Sequence, residues 1–249
     1  MILKLRRRLR NVHFLRSTFH FWRTWRERAR WTKESSREEL LSLLKEHEDP
    51  WNYAYDPVEI DRFKSASKLL EMARGNRLFE NAFEVACSEG VFTSILAPRC
   101  KSLLAVDLSE AALSRARRRC AGREVKFEQW DLFTSPAPTD LDLVVVMDVV
   151  EYFLSPSDVR NARDKLVHSL RPGGYLLLGN SRQNDIFETS WWGKWMLRGG
   201  QRIAEFFGEH PQLKLVASET KVRCVLALFC KKAENPHPLP SQGSVTIPI

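Results

Sequence analysis

Apolar and polar positions follow two different periods through the middle of the chain. The pattern predicts β-strands near residues 82–86, 103–107, 125–130, 141–147 and 175–180, and the runs 141–147 and 175–178 are apolar enough for central strands buried on both faces. Between the predicted strands, apolar residues recur at three- and four-residue steps. These segments, near 91–97, 109–120, 156–170 and 200–208, predict helices. Strands that alternate with helices indicate a parallel sheet with crossover helices.

The ends of this pattern complete the predicted fold. Two strand-like runs, near 213–219 and 222–230, follow without a helix between them and are expected to pair antiparallel. Upstream, helices are predicted over 34–48 and 57–74. Pro172-Gly173-Gly174 is predicted to form the turn into the fifth strand. The sequence thus predicts a Rossmann-like α/β fold with a seven-stranded, mostly parallel sheet and a final antiparallel strand.

The first 31 residues differ from the rest of the chain in charge. They contain ten Lys and Arg residues and one acid, Glu27, whereas the remainder contains 29 basic and 30 acidic residues. Leu9, Phe19 and Trp22 belong to an apolar stripe at helical spacing within residues 2–31. A basic amphipathic helix of this kind predicts contact with an anionic membrane surface, although a solvated arm or a helix docked on its own domain would show the same pattern.

The composition divides the chain into three segments and argues against nucleic-acid binding, a disulfide framework and a metal site. We expect a basic helical extension over 1–48, a catalytic domain over 49–233 and a Pro-rich, disordered tail over 234–249. A near-neutral body argues against a nucleic-acid surface on it. Five scattered cysteines predict neither a disulfide framework nor a metal site. Since no secretory or membrane-spanning run can be drawn, we expect a cytoplasmic protein, with peripheral contact at the inner membrane face through residues 1–31.

Five short segments place polar residues where predicted strands end, which is where open α/β sheets bind ligands. They are Phe83–Gly90, Ala105–Leu108, Trp130–Leu132, Met147–Tyr152 and Leu170–Tyr175. A dinucleotide fold needs G-x-G-x-x-G after its first strand, but those places hold Ala86, Ser88 and Val91. The pattern acid-x-small-x-small-x-Gly fits instead, from Glu84 to Gly90.

Together, the five segments resemble the class I S-adenosylmethionine (SAM) methyltransferases. The resemblance implies SAM as cofactor, with the Asp107 carboxylate accepting hydrogen bonds from the ribose hydroxyls and Asp131 accepting one from the adenine amino group. An aromatic or aliphatic neighbour, such as Trp130, would cover the adenine ring. Alanine and serine replace the usual glycines at positions 86 and 88, and alanine costs little there only if its φ is negative.

A closer resemblance is carried by the stretch Phe83–Cys100 and by Asp49-Pro50-Trp51-Asn52-Tyr53 upstream of it. Both are similar to the nodulation protein S family, over about residues 49–232. That family methylates the amino nitrogen of a deacetylated chitooligosaccharide. The resemblance places Trp51, Arg62 and, less surely, Tyr53 over the cofactor, although Trp51 could equally anchor the core. The predicted cofactor-binding residues are Trp51, Arg62, Glu84, Ala86, Cys87, Ser88, Gly90, Asp107, Leu108, Asp131, Leu132 and Met147.

Acidic residues after the fourth strand are the candidates for proton transfer. Asp148 or Glu151 could deprotonate or orient the nucleophile, with Tyr152 as an orienting hydroxyl. Both acids could instead simply solvate a loop. Further along, Trp191, Trp192 and Trp195 form an aromatic cluster suited to stacking on a sugar, covering a lipid or packing inside a lid.

The leading prediction is a methyltransferase acting on an amine or hydroxyl of an amino sugar, glycan or glycolipid precursor. Two alternatives stay open: a methyltransferase of a small metabolite or lipid headgroup, and a catalytically silent, membrane-tethered binding module. The sequence specifies neither the acceptor atom nor the oligomeric state.

Overall fold

The structure, a computed structural model, describes residues 33–153, 155–182 and 199–233. The chain divides into two units, Met1–His47 and Glu48–Ile249. In the first unit, helix α1 spans Lys33–Glu46. The predicted helix over 2–31, the tryptophan cluster at 191–195 and the Pro-rich tail lie outside the described residues.

A seven-stranded sheet forms the centre of the second unit. Its strands are β1 (Phe79–Val85), β2 (Cys100–Asp107), β3 (Val125–Gln129), β4 (Leu141–Met147), β5 (Leu170–Ser181), β6 (Leu213–Thr220) and β7 (Cys224–Lys231). Their order is β3-β2-β1-β4-β5-β7-β6. The pairings among β1 to β5 are parallel, and β7 is antiparallel to both of its neighbours. The predicted fold class and the antiparallel closing pair are confirmed.

Helices cover both faces of this sheet. They are α2 (Pro57–Arg74), α3 (Val91–Leu96), α4 (Glu110–Arg119), α5 (Pro156–Ser169) and α6 (Gly200–Gly208). Side-chain caps fix where three of them begin: Asp56 accepts from Val58 N, Ser109 from Ala112 N and Ser155 from Asp158 N. Proline as the first residue of α2 and α5 adds to this, because its fixed φ suits the first helical turn.

Strand β4 shows why a continuous apolar run forms a central strand. Leu143 and Val145 pack in the core on one face of the sheet, while Val144 and Val146 pack in the core on the other. Asp142 is the polar exception, and it is buried. Its carboxylate pairs with the guanidinium of Arg74 at 2.7 Å and accepts two backbone N–H groups from β1, so its charge is compensated.

The predicted turn at Pro172-Gly173-Gly174 is wrong, because these residues lie inside β5. The pairing jumps from Leu141–Leu170 to Leu143–Tyr175, so the extra residues bulge out of the strand. Gly173 adopts φ +78° in this bulge. A Cβ on Gly174 would lie 2.8 Å from the carbonyl oxygen of Leu141, so the backbones approach too closely for a side chain.

The strand order reverses between β1 and β4, and this reversal positions the site. The chain runs from β1 outward through β2 to β3, then returns to place β4 on the other side of β1. Ligands of open α/β sheets bind at the carboxyl ends of the strands beside such a reversal. The polar segments after β1, β2, β3 and β4 all end at this edge. Within the described ranges, none of the helices combines the length and apolar character needed to cross a membrane.

Candidate active site

The loop after β1 is held in an unusual backbone conformation. Ala86 adopts φ +55°, Ser88 adopts φ +48° and Gly90 adopts φ +77°. The condition under which alanine costs little at position 86, a negative φ, is therefore not met. The left-handed conformation costs a residue with a Cβ roughly 1–2 kcal/mol, so the loop stores strain where glycine would relieve it.

Gly90 is required for two reasons. Besides its positive φ, it stands at the start of α3 where α4 crosses. A Cβ at this position would lie 2.9 Å from the Cβ of Ala116 and 3.0 Å from its Cα. Because real Cβ atoms do not approach backbone this closely, the loop can lie against α4 only with glycine here.

Asp107, at the end of β2, is fixed by the loop that it faces. Its Oδ2 accepts the backbone N–H of Ser88 at 2.9 Å, and its Oδ1 accepts that of Ser109 at 2.8 Å. The side chain is 6% exposed, and burial raises the pKa of Asp107 although these hydrogen bonds oppose the shift. Since a carboxylate offers about four lone-pair positions, each oxygen can accept one more hydrogen bond. That capacity suits the two hydroxyls of a ribose.

Two further carboxyl groups are buried around this loop. Burial raises the pKa of Glu84, at the end of β1, to about 8, and that of Glu89 to about 7. Among the described residues, Glu84 Oε2 has no hydrogen-bond partner. Glu89 accepts the hydroxyl of Ser88 at 2.5 Å. At neutral pH, Glu84 is mostly neutral, so a cation placed beside it would favour its ionisation.

Asp131 follows β3 and stabilises the turn in which it lies. Its Oδ1 accepts the backbone N–H of Phe133 at 2.8 Å, and its own N–H donates to Ser135 Oγ. Trp130 does not cover a ligand: its ring packs edge-on against Phe83 in the core, and its Nε1 donates to Pro136 O at 3.0 Å. An aromatic ring that is exposed near Asp131 is that of Phe133, which lies edge-to-face with Phe153.

Several of the predicted cofactor residues have side chains in the core. The side chains of Cys87 and Leu132 are buried in apolar clusters, and Met147 packs against a third such cluster. The backbone of Cys87 continues the sheet by donating to Val106 O at 2.9 Å. Leu108 offers a carbonyl that accepts from Gln129 Nε2. Any ligand contact from Cys87 or Leu132 would therefore come from the backbone.

Asp148, directly after β4, is held by α2 and the segment before it. Its Oδ2 accepts from Arg62 Nη1 and, at 3.0 Å, from the hydroxyl of Tyr53. Arg62 also pairs with Glu59 at 2.7 Å, and the guanidinium is almost fully buried. Burial alone would lower the pKa of Arg62, but the carboxylates of Asp148 and Glu59 raise it overall. Asp148 Oδ1 is buried and has no partner in the described part of the chain.

Glu151 lies beside this ion pair, in the 3₁₀ turn Val150–Tyr152. Its Oε2 accepts the backbone N–H of Ser181 at 2.8 Å. Burial, reinforced by the charge of Asp148, raises the pKa of Glu151 to about 7. The pKa of Tyr152 is raised to about 12 by burial and by the same two acids, so its hydroxyl keeps its proton, and its ring is 46% exposed.

The Trp51 side chain stacks on Tyr53, with ring centroids 5.6 Å apart and planes at 19°. Tyr53 in turn contacts Phe63 edge-on, and Arg62 lies over both rings. Trp51 is half-buried. The segment before α2 is thus packed onto the residues that hold Asp148, which agrees with a place above the carboxyl ends.

The structure gathers the predicted residues into two neighbouring groups. Glu84, Ser88 and Asp107 surround the loop between β1 and β2, and Asp131 follows at β3. Tyr53, Arg62, Asp148 and Glu151 meet beyond β4, with Tyr152 at the rim. Two residues of the second group were missed. Glu59 could have been found, because it precedes Arg62 by one helical turn. Asn180, at the end of β5, carries no motif.

Comparisons with known proteins agree with this geometry. The family model described as Nodulation protein S (NodS) matches residues 33–228. Nodulation protein S of Rhizobium tropici is 30% identical over 196 residues, which cover 77% of this chain and 79% of that protein. The crystal structure of N-methyltransferase NodS from Bradyrhizobium japonicum WM9 in complex with S-adenosyl-L-homocysteine superposes with a TM-score of 0.65 at 26% identity, covering 78% of this chain and 97% of that one.

A more distant structure shares the fold. Magnesium protoporphyrin IX methyltransferase from Synechocystis PCC 6803 matches with a TM-score of 0.60 at 13% identity, over 79% of this chain and 97% of that one. The class I methyltransferase fold therefore extends well beyond the relatives that share recognisable sequence.

The residues at the edge of the sheet fit SAM on their own chemistry. Asp107 has free lone pairs for a ribose, and the strained loop and Gly90 bring backbone close to that position. Glu84 Oε2 and Asp148 Oδ1 are buried acceptors that lack partners among the described residues. A cofactor with a sulfonium and an ammonium group would supply the positive charge that these carboxyl groups lack.

Proposed function

The chain belongs to the nodulation protein S family and is a SAM-dependent methyltransferase, and from this premise we propose that it methylates the amine nitrogen of an amino sugar within a glycan or glycolipid precursor. The amino-sugar class is supported by the relatives that share most of its length. The choice of nitrogen over oxygen is supported by the charges around Asp148.

One observation supports the choice of an amine: among the described residues, acids outnumber bases in this buried group. Glu59, Asp148 and Glu151 surround one guanidinium, that of Arg62. A group with surplus negative charge attracts a cation. An amino sugar arrives as an ammonium ion, whereas a hydroxyl acceptor brings no charge. The ammonium must then lose a proton before it can attack.

Glu151 is the residue best suited to take that proton. A base works best when its pKa lies near the operating pH, and the pKa of Glu151 is about 7. Asp148 is committed to Arg62 and Tyr53 through one oxygen, which leaves Oδ1 to orient the amine. The Tyr152 hydroxyl stays protonated and can donate a hydrogen bond at the rim.

SAM supplies a methyl group on a positively charged sulfur, which keeps the bonding electrons when the acceptor nitrogen attacks. The protein's task is then to align the two reactants and to keep water away. Burial of Arg62 and Asp148 serves the alignment, because a buried ion pair cannot reorient freely. The stacked Trp51 and Tyr53 cover the same group from the side of α2.

The test uses matched acceptors. The enzyme and SAM are incubated with short oligosaccharides of glucosamine or with their fully N-acetylated counterparts. The masses of the products are measured by mass spectrometry. We expect a gain of methyl groups on the free amines only. Methylation of the acetylated oligosaccharides would mean transfer to oxygen. Turnover of lipid headgroups or small metabolites, with none on either sugar, would favour the alternative substrate class.

We also propose that residues 1–31 bind anionic membrane surfaces from the cytoplasmic side. The support is the sequence: ten basic residues, one acid and an apolar stripe. Each basic residue near such a surface contributes about 1 kcal/mol, and the attraction weakens with salt. We expect the full chain to co-sediment with phosphatidylserine vesicles at low salt and a chain without residues 1–31 to stay in solution. If that deletion unfolds the domain or abolishes SAM binding, the segment is a packed part of the enzyme.

A further inference from the structure

A buried amide without partners lies beside the proposed proton acceptor. The Asn180 side chain is 1% exposed, and neither its Oδ1 nor its Nδ2 has a hydrogen-bond partner among the described residues. Buried side-chain amides are normally satisfied, because water has been lost and nothing replaces it. An amide that no described residue pairs with therefore points to a partner of another kind, such as a bound ligand.

The residues on either side of Asn180 connect it to Glu151 and Asp148. Ser181, the next residue, donates its N–H to Glu151 Oε2 at 2.8 Å. Gly179, the preceding residue, accepts the N–H of Asp148 at 2.8 Å. The two acids are thus attached to the backbone on either side of Asn180. The Asn180 amide therefore lies on the side of the site where the methyl acceptor is proposed to bind.

Packing offers no reason for an asparagine here. Leu176 and Leu178 precede it on the same face of β5, and both are fully buried in the core. A leucine at position 180 would continue this apolar face with the same branched outline, although it is larger than asparagine. The backbone around it is tight, since a Cβ on Gly200 would lie 2.8 Å from Asn180 O. The fold closes around this residue and still leaves its amide unpaired.

The cofactor is not the natural partner of this amide. Glu84, Ser88 and Asp107 lie at β1 and β2, whereas Asn180 lies on β5, which is separated from β1 by β4. Neighbouring strands are about 4.8 Å apart, so Asn180 lies roughly 10 Å from β1 across the sheet. The acceptor, which is proposed to bind beside Asp148 and Glu151, is therefore closer to Asn180 than the cofactor is.

We propose that Asn180 binds the acceptor through the hydroxyl next to the reacting amine. This inference rests on the proposed function, in which the acceptor is an amino sugar. A hydroxyl both donates and accepts, which matches an amide that offers one acceptor oxygen and two N–H donors. Because the amide is shielded from water, the pairing forms in a closed complex, after local opening admits the sugar. Asn180 then sets the orientation of the amine toward Glu151 and selects sugars that carry the hydroxyl.

The first test replaces Asn180 with leucine. Because leucine removes the unpaired amide but is larger than asparagine, the melting temperature of Asn180→Leu serves only to show that the variant is folded. We expect the KM for a glucosamine oligosaccharide to rise about tenfold or more, as for a lost hydrogen bond to a buried group, while the KM for SAM stays unchanged. Ser169→Ala is the matched control, because Ser169 is a buried polar residue at the end of α5, directly before the opposite end of β5. It should leave both KM values unchanged.

The second test changes the sugar. With the wild-type enzyme, the KM for an oligosaccharide that lacks the hydroxyl beside the reacting amine should be higher by about the same factor. With Asn180→Leu, removing that hydroxyl should not raise the KM further. Two results would overturn the inference: an unchanged KM for the sugar or a raised KM for SAM, each with folded Asn180→Leu. A wild-type enzyme that methylates no glucosamine oligosaccharide would refute the proposed function instead.

Discussion

At the scale of single residues, the cofactor loop combines a family motif with a departure from it. The spacing from Glu84 to Gly90 predicts the loop after β1, but the sign of φ at its inner positions cannot be seen in a sequence. The structure places Ala86 and Ser88 in the left-handed region, where a Cβ is crowded. Such strain persists only where the surroundings hold it, and here Asp107 holds Ser88 through its backbone N–H.

Relief of that strain gives a direct prediction. Ala86→Gly should stabilise the protein by up to about 1 kcal/mol, because glycine adopts a positive φ without steric conflict. Ala111→Gly, in helix α4, is the matched control and should destabilise by up to about 1 kcal/mol. Urea unfolding followed by circular dichroism measures both. A loss of stability in Ala86→Gly as large as in the control would show that Ala86 is not strained.

The second prediction at this scale concerns Asp107. Asp107→Ala removes the acceptor proposed for the ribose hydroxyls, so SAM affinity should fall by about 1–3 kcal/mol. Stability should fall as well, because Ser88 N and Ser109 N lose their acceptor. Glu110→Ala removes a neighbouring exposed acid and should change neither quantity. Calorimetry at a temperature where both variants are folded gives the affinities, and an unchanged affinity in Asp107→Ala would contradict the proposed ribose contact.

At the scale of helices and strands, the sequence predicts the fold closely because each element is locally consistent. Helix α2 spans 57–74 as predicted, since Asp56 caps it and Gly75 follows it. Strand β4 spans 141–147 as predicted, since its apolar run is uninterrupted apart from Asp142. The bulge in β5 was missed, because Pro-Gly-Gly marks a break in regular pairing without telling a turn from a bulge.

Contacts between distant elements are the part that the sequence could not show. Arg62 and Asp148 are 86 residues apart and pair only because α2 packs across the ends of the strands. Trp130, which directly follows β3, was expected near a ligand, but it packs in the core against Phe83, a residue 47 positions away in the chain. Asn180 escaped notice for the same reason: an asparagine at the end of a strand is ordinary until its burial is known.

At the scale of the whole molecule, positive and negative charges are concentrated in different parts of the chain. The surplus positive charge belongs to residues 1–31, whereas the described interior concentrates carboxyl groups at one edge of the sheet. Burial raises the pKa of Glu84 to about 8 and those of Glu89 and Glu151 to about 7. The site of the free enzyme is therefore only partly ionised at neutral pH, and SAM should promote its ionisation.

These raised pKa values predict how stability depends on pH. Between pH 5 and 8 the folded protein holds protons that the unfolded chain releases, so stability falls as pH rises through that range. Glu84→Gln removes one contribution, and its unfolding free energy should fall less steeply, with a gain at pH 8 on the order of a few kcal/mol. Glu80→Gln, an exposed change on the same strand, should keep the parent slope. Urea titrations from pH 5 to 8.5 measure this, and an unchanged slope in Glu84→Gln would show that Glu84 is ionised in the folded protein.

The central claim is that Glu151, beyond β4, takes the proton of the acceptor's ammonium group so that the amine can attack the methyl group. Steady-state rates of Glu151→Gln with SAM and the glucosamine oligosaccharide test it most directly, with Tyr152→Phe as the matched control. We predict that Glu151→Gln keeps its SAM affinity and its fold and loses turnover by roughly 10²–10⁴-fold, whereas Tyr152→Phe loses far less. Turnover of Glu151→Gln equal to that of the wild-type enzyme would contradict the account.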